Sequence, residues 1–168
     1  MFPSHDRAEV CKKNHVNAID DIGYGKGYSM ALEYWREYLG ALNYLRDTKG
    51  MIIIEIAHAE IKRFENPETD AYDRYNIKLH KKAGELILEH SDIVLFANYF
   101  VGVKKEDGGF NKERKRAIGS GERILYTTER PAATAKNRYD LPQEIPFDRE
   151  GNYWGVIASH IPFFNQSK

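Results

Sequence analysis

Residues 51–62 read Met-Ile-Ile-Ile-Glu-Ile-Ala-His-Ala-Glu-Ile-Lys, directly behind Gly50. The first seven form a short β-branched run after a glycine stop, the composition of a strand buried in an α/β sheet. The run then turns polar at His58 and Glu60. Ligand sites of open α/β sheets form just past the carboxyl ends of such strands. Residues 51–57 are therefore expected to be a central strand with a polar, functional tip.

On the amino-terminal side, Tyr28, Leu32, Trp35, Leu39, Leu42 and Leu45 recur at three- or four-residue steps. That spacing predicts an amphipathic helix over 28–47, stopped at Gly50. Before it lies Gly23-Tyr24-Gly25-Lys26-Gly27, a flexible loop able to approach a ligand closely. It is not a phosphate loop of the GxxxxGK[ST] kind, because Gly27 follows Lys26 where that motif needs Ser or Thr. Residues 5–15 predict a short, mostly polar helix.

On the carboxyl-terminal side, residues 63–78 lack periodicity and carry Pro67, so a long loop is expected there, of the kind that is functional or disordered. Residues 79–90 predict a second helix, with Leu79, Ala83, Leu86 and Ile87 on one face. A strand is expected from Ile93, continuing through Tyr99 to Val103. Lys104, Lys105, Lys112, Arg114, Lys115 and Arg116 surround Asp107-Gly108-Gly109, which reads as a hairpin or flap with a basic tip. Such a tip is either a solvated loop or a phosphate contact. Residues 122–128 are strand-like, 132–139 are a strand or its exit, and Pro142 and Pro146 mark loose chain. The aromatic end, with Tyr153, Trp154, Phe163 and Phe164, either docks on the body or forms a sticky tail.

The chain has 168 residues, which favours one domain with a sizeable core. Lys and Arg total 25, Asp and Glu total 25, so global charge gives no electrostatic reason to bind nucleic acid. A single cysteine, Cys11, excludes an intrachain disulfide and fits a reducing compartment. No apolar run approaches the ~20 residues of a membrane span, and the first residues lack a signal-peptide core. A cytoplasmic protein with no membrane partner is expected.

Three local matches, taken in order, resemble the later half of a RecA-type ATPase core. GYGKGYSMALEYWREYL resembles the first DNA-facing loop and following helix. AHAEIKRFENPET, with its Asn66-Pro67-Glu68-Thr69, resembles the strand end and second DNA-facing loop. AKNRYDLP resembles the Lys-Asn-Arg motif of RadA-type proteins. The chain is most similar to phage RecA-like ATP-binding proteins of recombination and single-strand annealing. The resemblance spans about residues 8–147, so the expected division is 1–147, a partial RecA-like core, and 148–168, a tail. It implies an α/β fold, a partial P-loop NTPase core with a mostly parallel central sheet, flanking helices and a β-rich carboxyl-terminal part. Walker A and Walker B segments are not found. The intact family would use ATP and magnesium; this chain alone is expected to bind neither and to lack ATPase activity. A central strand without those neighbours has unpaired edges, which invites association or rearrangement.

The resemblance also assigns sites. Glu60 stands where such proteins keep a polar residue that senses the γ-phosphate, and His58 is beside it. Both also fit simple capping of the strand end. A metal set of Glu55, His58 and Glu60 is disfavoured: Glu55 and His58, three apart on a strand, point to opposite faces. Lys136 and Arg138, two apart, leave the same face of an extended segment. They are candidate catalytic cations reaching phosphates held by a neighbouring subunit, or an exposed cationic pair on an edge. For single-stranded DNA the candidates are Lys26, Lys62, Arg63, Arg74 and Lys78, with Tyr24, Tyr72 and Tyr75 to stack on bases. The implied partners are single-stranded DNA and either a homo-oligomer or a P-loop-bearing protein, in host cytoplasm if the chain is phage-encoded. The alternatives are a non-catalytic nucleic-acid-binding module and an inactive remnant.

Overall fold

The structure, a computed structural model, describes residues 4–23, 26–107, 113–147 and 150–165; for 4–7, 20, 101–107 and 113–120 it describes the backbone alone. Tyr24 and the predicted hairpin tip at 108–112 lie outside the described residues. The chain divides into two compact units, Met1–Ser91 and Asp92–Lys168.

The first unit is built on the predicted amphipathic helix. After α1 (Ser4–Lys13) and a 3-10 turn (Ile19–Asp21), α2 runs Lys26–Lys49, slightly longer than its apolar period. Ala31, Trp35 and Leu39 are buried on it at four-residue steps, with Tyr28, Leu32 and Leu42 partly buried beside them. Val10 of α1, Ile19, and Ala83 and Ile87 of α3 (Lys81–His90) complete this core. Gly50 takes a positive φ of 63°, and the Met51 amide donates back to the Leu45 carbonyl at 3.2 Å, which ends the helix where the sequence placed the stop.

Gly27 is a packing glycine. A Cβ there would stand 2.6 Å from the Ile19 carbonyl oxygen and 2.8 Å from its Cγ1. Backbone cannot yield as a long side chain can, so Gly27→Ala is expected to destabilise this unit by about 1–3 kcal/mol. Urea unfolding followed by circular dichroism measures it, and an unchanged midpoint would refute the contact.

The expected central strand is corrected. Residues 51–57 form no strand; Ile54 is 71% and Ile56 95% exposed. The reason is topological: a parallel strand needs neighbours brought by crossovers, and among the described residues none lies beside this run. The Tyr38 hydroxyl donates to Glu55 Oε1 at 2.8 Å, tying the run to α2. Burial first, then that bond, pushes the Tyr38 hydroxyl up to about 12. A raised phenol value makes the tether's contribution complete below the ordinary value of 10.0 and lost as pH rises toward about 12. The loop expected over 63–78 is also corrected. It is largely a hairpin of β1 (Ala59–Phe64) and β2 (Tyr72–Ile77), paired antiparallel. Its strands are polar on both faces, so no apolar alternation announced them.

The second unit is β-rich. β3 (Ile93–Val94) pairs with β6 (Lys136–Asn137). β4 (Phe96–Asp107) pairs with β5 (Glu113–Tyr126) as a long hairpin, as the sequence predicted, with a register shift between Tyr99 and Val101. β7 (Glu144–Pro146) adds to β5, so Pro146 occupies an edge strand, where its missing N–H is tolerated. Thr127 is fully buried; its amide donates to the Gln143 carbonyl at 3.0 Å and its hydroxyl to the Pro142 carbonyl at 2.7 Å. The stretch read as loose chain is therefore fastened. At the aromatic end, α4 (Tyr153–His160) buries Ile157 against Leu125, Leu141 and Ile145 with Tyr153 partly buried beside them, while Trp154, Phe163 and Phe164 stay exposed. All described pairings are antiparallel, in small sheets. The fold is a mixture of helices and sheets, and the mostly parallel central sheet is not among the described elements.

Candidate functional site

The hairpin of β1 and β2 gathers most of the predicted site residues. Its register sets Glu60 opposite Asn76, Lys62 opposite Arg74, Arg63 opposite Asp73 and Phe64 opposite Tyr72. Because side chains alternate across a strand, Glu60, Lys62, Phe64, Tyr72 and Arg74 share one face. Ile61, Arg63, Asp73 and Tyr75 share the other. Each face therefore carries a cation two residues diagonal to a tyrosine, within the reach of long side chains.

The side chains differ sharply in access. Lys62 and Arg63 are exposed, at 48% and 60% of their side chains. Arg74 is buried at 7% and lies over the Phe64 ring at 5.2 Å, while Phe64 meets Tyr72 at 5.4 Å. That burial makes Arg74 a support of the hairpin, leaving Lys62, Arg63 and Lys78 as its exposed cations. Tyr72 and Tyr75 are half-buried. At the tip, the Asn66 side-chain oxygen accepts from the Glu68 amide at 2.9 Å, the local turn that Asn-Pro favours. Glu65, Glu68 and Asp70 are exposed there, so the tip is acidic and the cations lie along the strands.

Glu60 pairs with Lys62 Nζ at 2.8 Å. The hydrogen bond to Lys62, aided by the charges of Lys62 and Lys78 and opposed by desolvation, lowers the Glu60 carboxyl below its ordinary 4.5. A depressed carboxyl contributes stability that is present above 4.5 and lost as pH falls through the lowered folded value. Lys62→Met is expected to move Glu60 back up toward 4.5, read by carboxyl NMR titration. An unmoved titration would mean that Lys62 is not its partner. His58 is exposed just before β1, and its carbonyl accepts from the Lys78 amide at 2.8 Å. Glu55 is engaged by Tyr38, and no metal-holding cluster of His, Cys, Asp and Glu occurs among the described residues.

Lys26 is exposed in the first turn of α2, apart from the hairpin. Lys136 and Arg138 lie in the second unit. The pairing of Ile93 with Asn137 brings Asp92 across from Arg138, and Arg138 Nη1 donates to Asp92 Oδ1 at 2.7 Å. Asp92 was legible only as punctuation before a strand; its partner is 46 residues away. An exposed ion pair is worth about 0.2–1 kcal/mol, so exchanging Asp92 for another anion costs Arg138 little.

The described residues form no phosphate cradle. Gly27 is buried against Ile19, and Lys26 has no hydroxyl residue after it. A shallow groove of about 350 Å³ between α2 and α3 is lined by Arg36 and Lys82 but also by Glu85 and Glu89, whose charges cancel. The described residues do not fit ATP and magnesium. Among them, no helix is long and apolar enough to cross a membrane.

The comparison of the chain with protein families gives a match over residues 4–139 to a family described as an AAA domain. No curated protein and no solved structure matches the chain.

Proposed function

The chain belongs to the AAA domain family, an ATPase-like nucleotide-binding class, and from that premise we propose that it is the DNA-facing portion of a phage RecA-like ATPase serving recombination or single-strand annealing. The observation that carries the reading is the β1–β2 hairpin, where each face pairs an exposed cation with a diagonal tyrosine. Cations that track a phosphate backbone beside rings that stack on bases suit single strands without sequence readout. The acidic tip directs that contact to the sides of the hairpin, where Lys62, Arg63 and Lys78 stand.

In this reading ATP and magnesium are held by a P-loop that the described residues do not supply. Lys136 and Arg138 then face the phosphates from outside, with Arg138 released from Asp92. Glu60, bonded to Lys62, couples the nucleotide side of the hairpin to its DNA side. A non-catalytic nucleic-acid-binding module is the second reading, favoured by the engagement of Arg138 with Asp92.

Charge reversal tests the proposal. Lys62→Glu with Arg63→Glu is expected to weaken single-stranded oligonucleotide binding by about tenfold or more at low salt. The slope of log affinity against log salt should shrink by about one for each lost contact. Both side chains are exposed, so circular dichroism should be unchanged. An affinity that does not move overturns the hairpin as the DNA surface.

A further inference from the structure

The β4–β5 hairpin carries charge that its own register does not answer. A register shift separates Tyr99 from Val101, and Gly121 on the facing strand takes a positive φ of 78°. Irregularities of this kind re-aim a ribbon. Beyond the shift, residue pairs run from Val101–Gly119 to Asp107–Glu113, about 20 Å of two antiparallel strands. β7 pairs with β5 at Ile124, Leu125 and Tyr126, on the near side of the shift. The register sets Lys104 opposite Arg116 and Lys105 opposite Lys115. Like charges placed directly opposite are destabilising. Alternation assigns Lys105, Asp107, Glu113 and Lys115 to one face, where each cation is diagonal to an anion and the charges balance. Lys104, Glu106, Arg114 and Arg116 fall on the other face, and its lone anion, Glu106, already stands opposite Arg114. The Lys104–Arg116 pair therefore adds nothing to folding, and its face is left with an excess of cations.

We infer that this ribbon is a second nucleic-acid site, and that its ligand is double-stranded DNA, bound through its phosphates on the face that holds Lys104, Arg114 and Arg116. Duplex DNA carries one negative charge per about 1.7 Å of axis, so its backbone answers cations that the fold itself leaves unbalanced. Its major groove, about 12 Å wide, admits a two-stranded β-ribbon. The deep, narrow major groove of double-stranded RNA does not. Single strands are the poorer fit, because they are gripped by aromatic rings that stack on bases. No residue of 101–107 or 113–119 is aromatic, whereas the β1–β2 hairpin sets a tyrosine on each face. Phosphate contacts position a duplex without reading its sequence, so the binding is sequence-independent. This site stands apart from the single-strand reading, since it uses neither Lys62 nor Arg63.

Fluorescence anisotropy of the full chain tests it, with a labelled mixed-sequence duplex and with one of its strands alone, at low salt. The expected result is duplex binding that Arg116→Glu weakens by about tenfold, with the slope of log affinity against log salt reduced by about one or more. Single-strand affinity should change by about twofold or less. Lys115→Glu makes the same charge change on the balanced face and should cost duplex affinity about threefold or less. Arg116→Glu also turns a like-charged cross-strand pair into an opposite-charged one. The melting temperature should therefore hold or rise while duplex affinity falls, which a purely structural role for Arg116 does not produce. A folded chain that does not bind the duplex at low salt overturns the inference. So does a duplex affinity that Arg116→Glu leaves unmoved. Equal losses for Arg116→Glu and Lys115→Glu, or for duplex and single strand, overturn it as well, because they mark general charge attraction.

Discussion

Trp35→Ala is expected to lower the stability of the first unit by about 3–5 kcal/mol. Trp35 is 7% exposed at the centre of α2, between Ala31 and Leu39 on the buried stripe. Its ring meets Tyr38 edge-on at 5.7 Å, and the same cluster draws in Val10 from α1 and Ile87 from α3. Truncation to alanine removes the transfer free energy of the indole and leaves a cavity among elements that can close on it only partly. The loss spreads beyond α2, because the same cluster holds residues of α1 and α3. Urea unfolding followed by far-ultraviolet circular dichroism measures the change; Trp154, in the second unit, remains as an independent fluorescence probe. A loss below about 1 kcal/mol, the ordinary size of a surface substitution or less, would mean that α2 does not organise this unit.

Ile145→Ala is the second large expectation, about 2–5 kcal/mol from the second unit. Ile145 is 2% exposed on the edge strand β7, paired with Leu125 and packed with Leu141 and Ile157. It joins the sheet to α4, so its loss should loosen the helix as well as the strand. The double substitution with Ile157→Ala should then be non-additive by about 0.5–3 kcal/mol, because both side chains line one cluster. Strict additivity would mean that α4 rests elsewhere.

What the sequence disclosed follows from what kind of information each element needs. Helices α2 and α3 were legible because a helix makes its backbone bonds within itself and its apolar period names the buried face. The β4–β5 hairpin was legible for a similar reason, since its strands are neighbours in sequence. The run at 51–57 was not. A β-branched composition marks a segment fit to be a strand, but pairing is a relation to another segment, and no described segment supplies it. The β1–β2 hairpin hid behind polar residues: Lys62, Arg63 and Asp73 alternate with no apolar rhythm to flag a strand.

The candidate site was legible in part and by type more than by geometry. Lys62, Arg63, Tyr72, Tyr75 and Lys78 were named as one group and lie on one hairpin. Arg74 looked like its neighbours in sequence, yet the ring of Phe64 beneath it sets it apart. The salt bridge between Glu60 and Lys62 follows from two-residue spacing on a strand, which the reading of Glu60 as a polar tip past a strand over 51–57 obscured. Asp92, opposite Arg138, depended on a pairing of β3 with β6 that no local pattern encodes.

The most direct test of a DNA-facing portion without its own nucleotide cradle is fluorescence anisotropy of a single-stranded oligonucleotide at low and moderate salt, with and without ATP and magnesium. The predicted result is binding that weakens steeply as salt rises and that ATP with magnesium leaves unchanged. A folded sample that fails to bind at low salt, or one whose binding ATP alone controls, would contradict it.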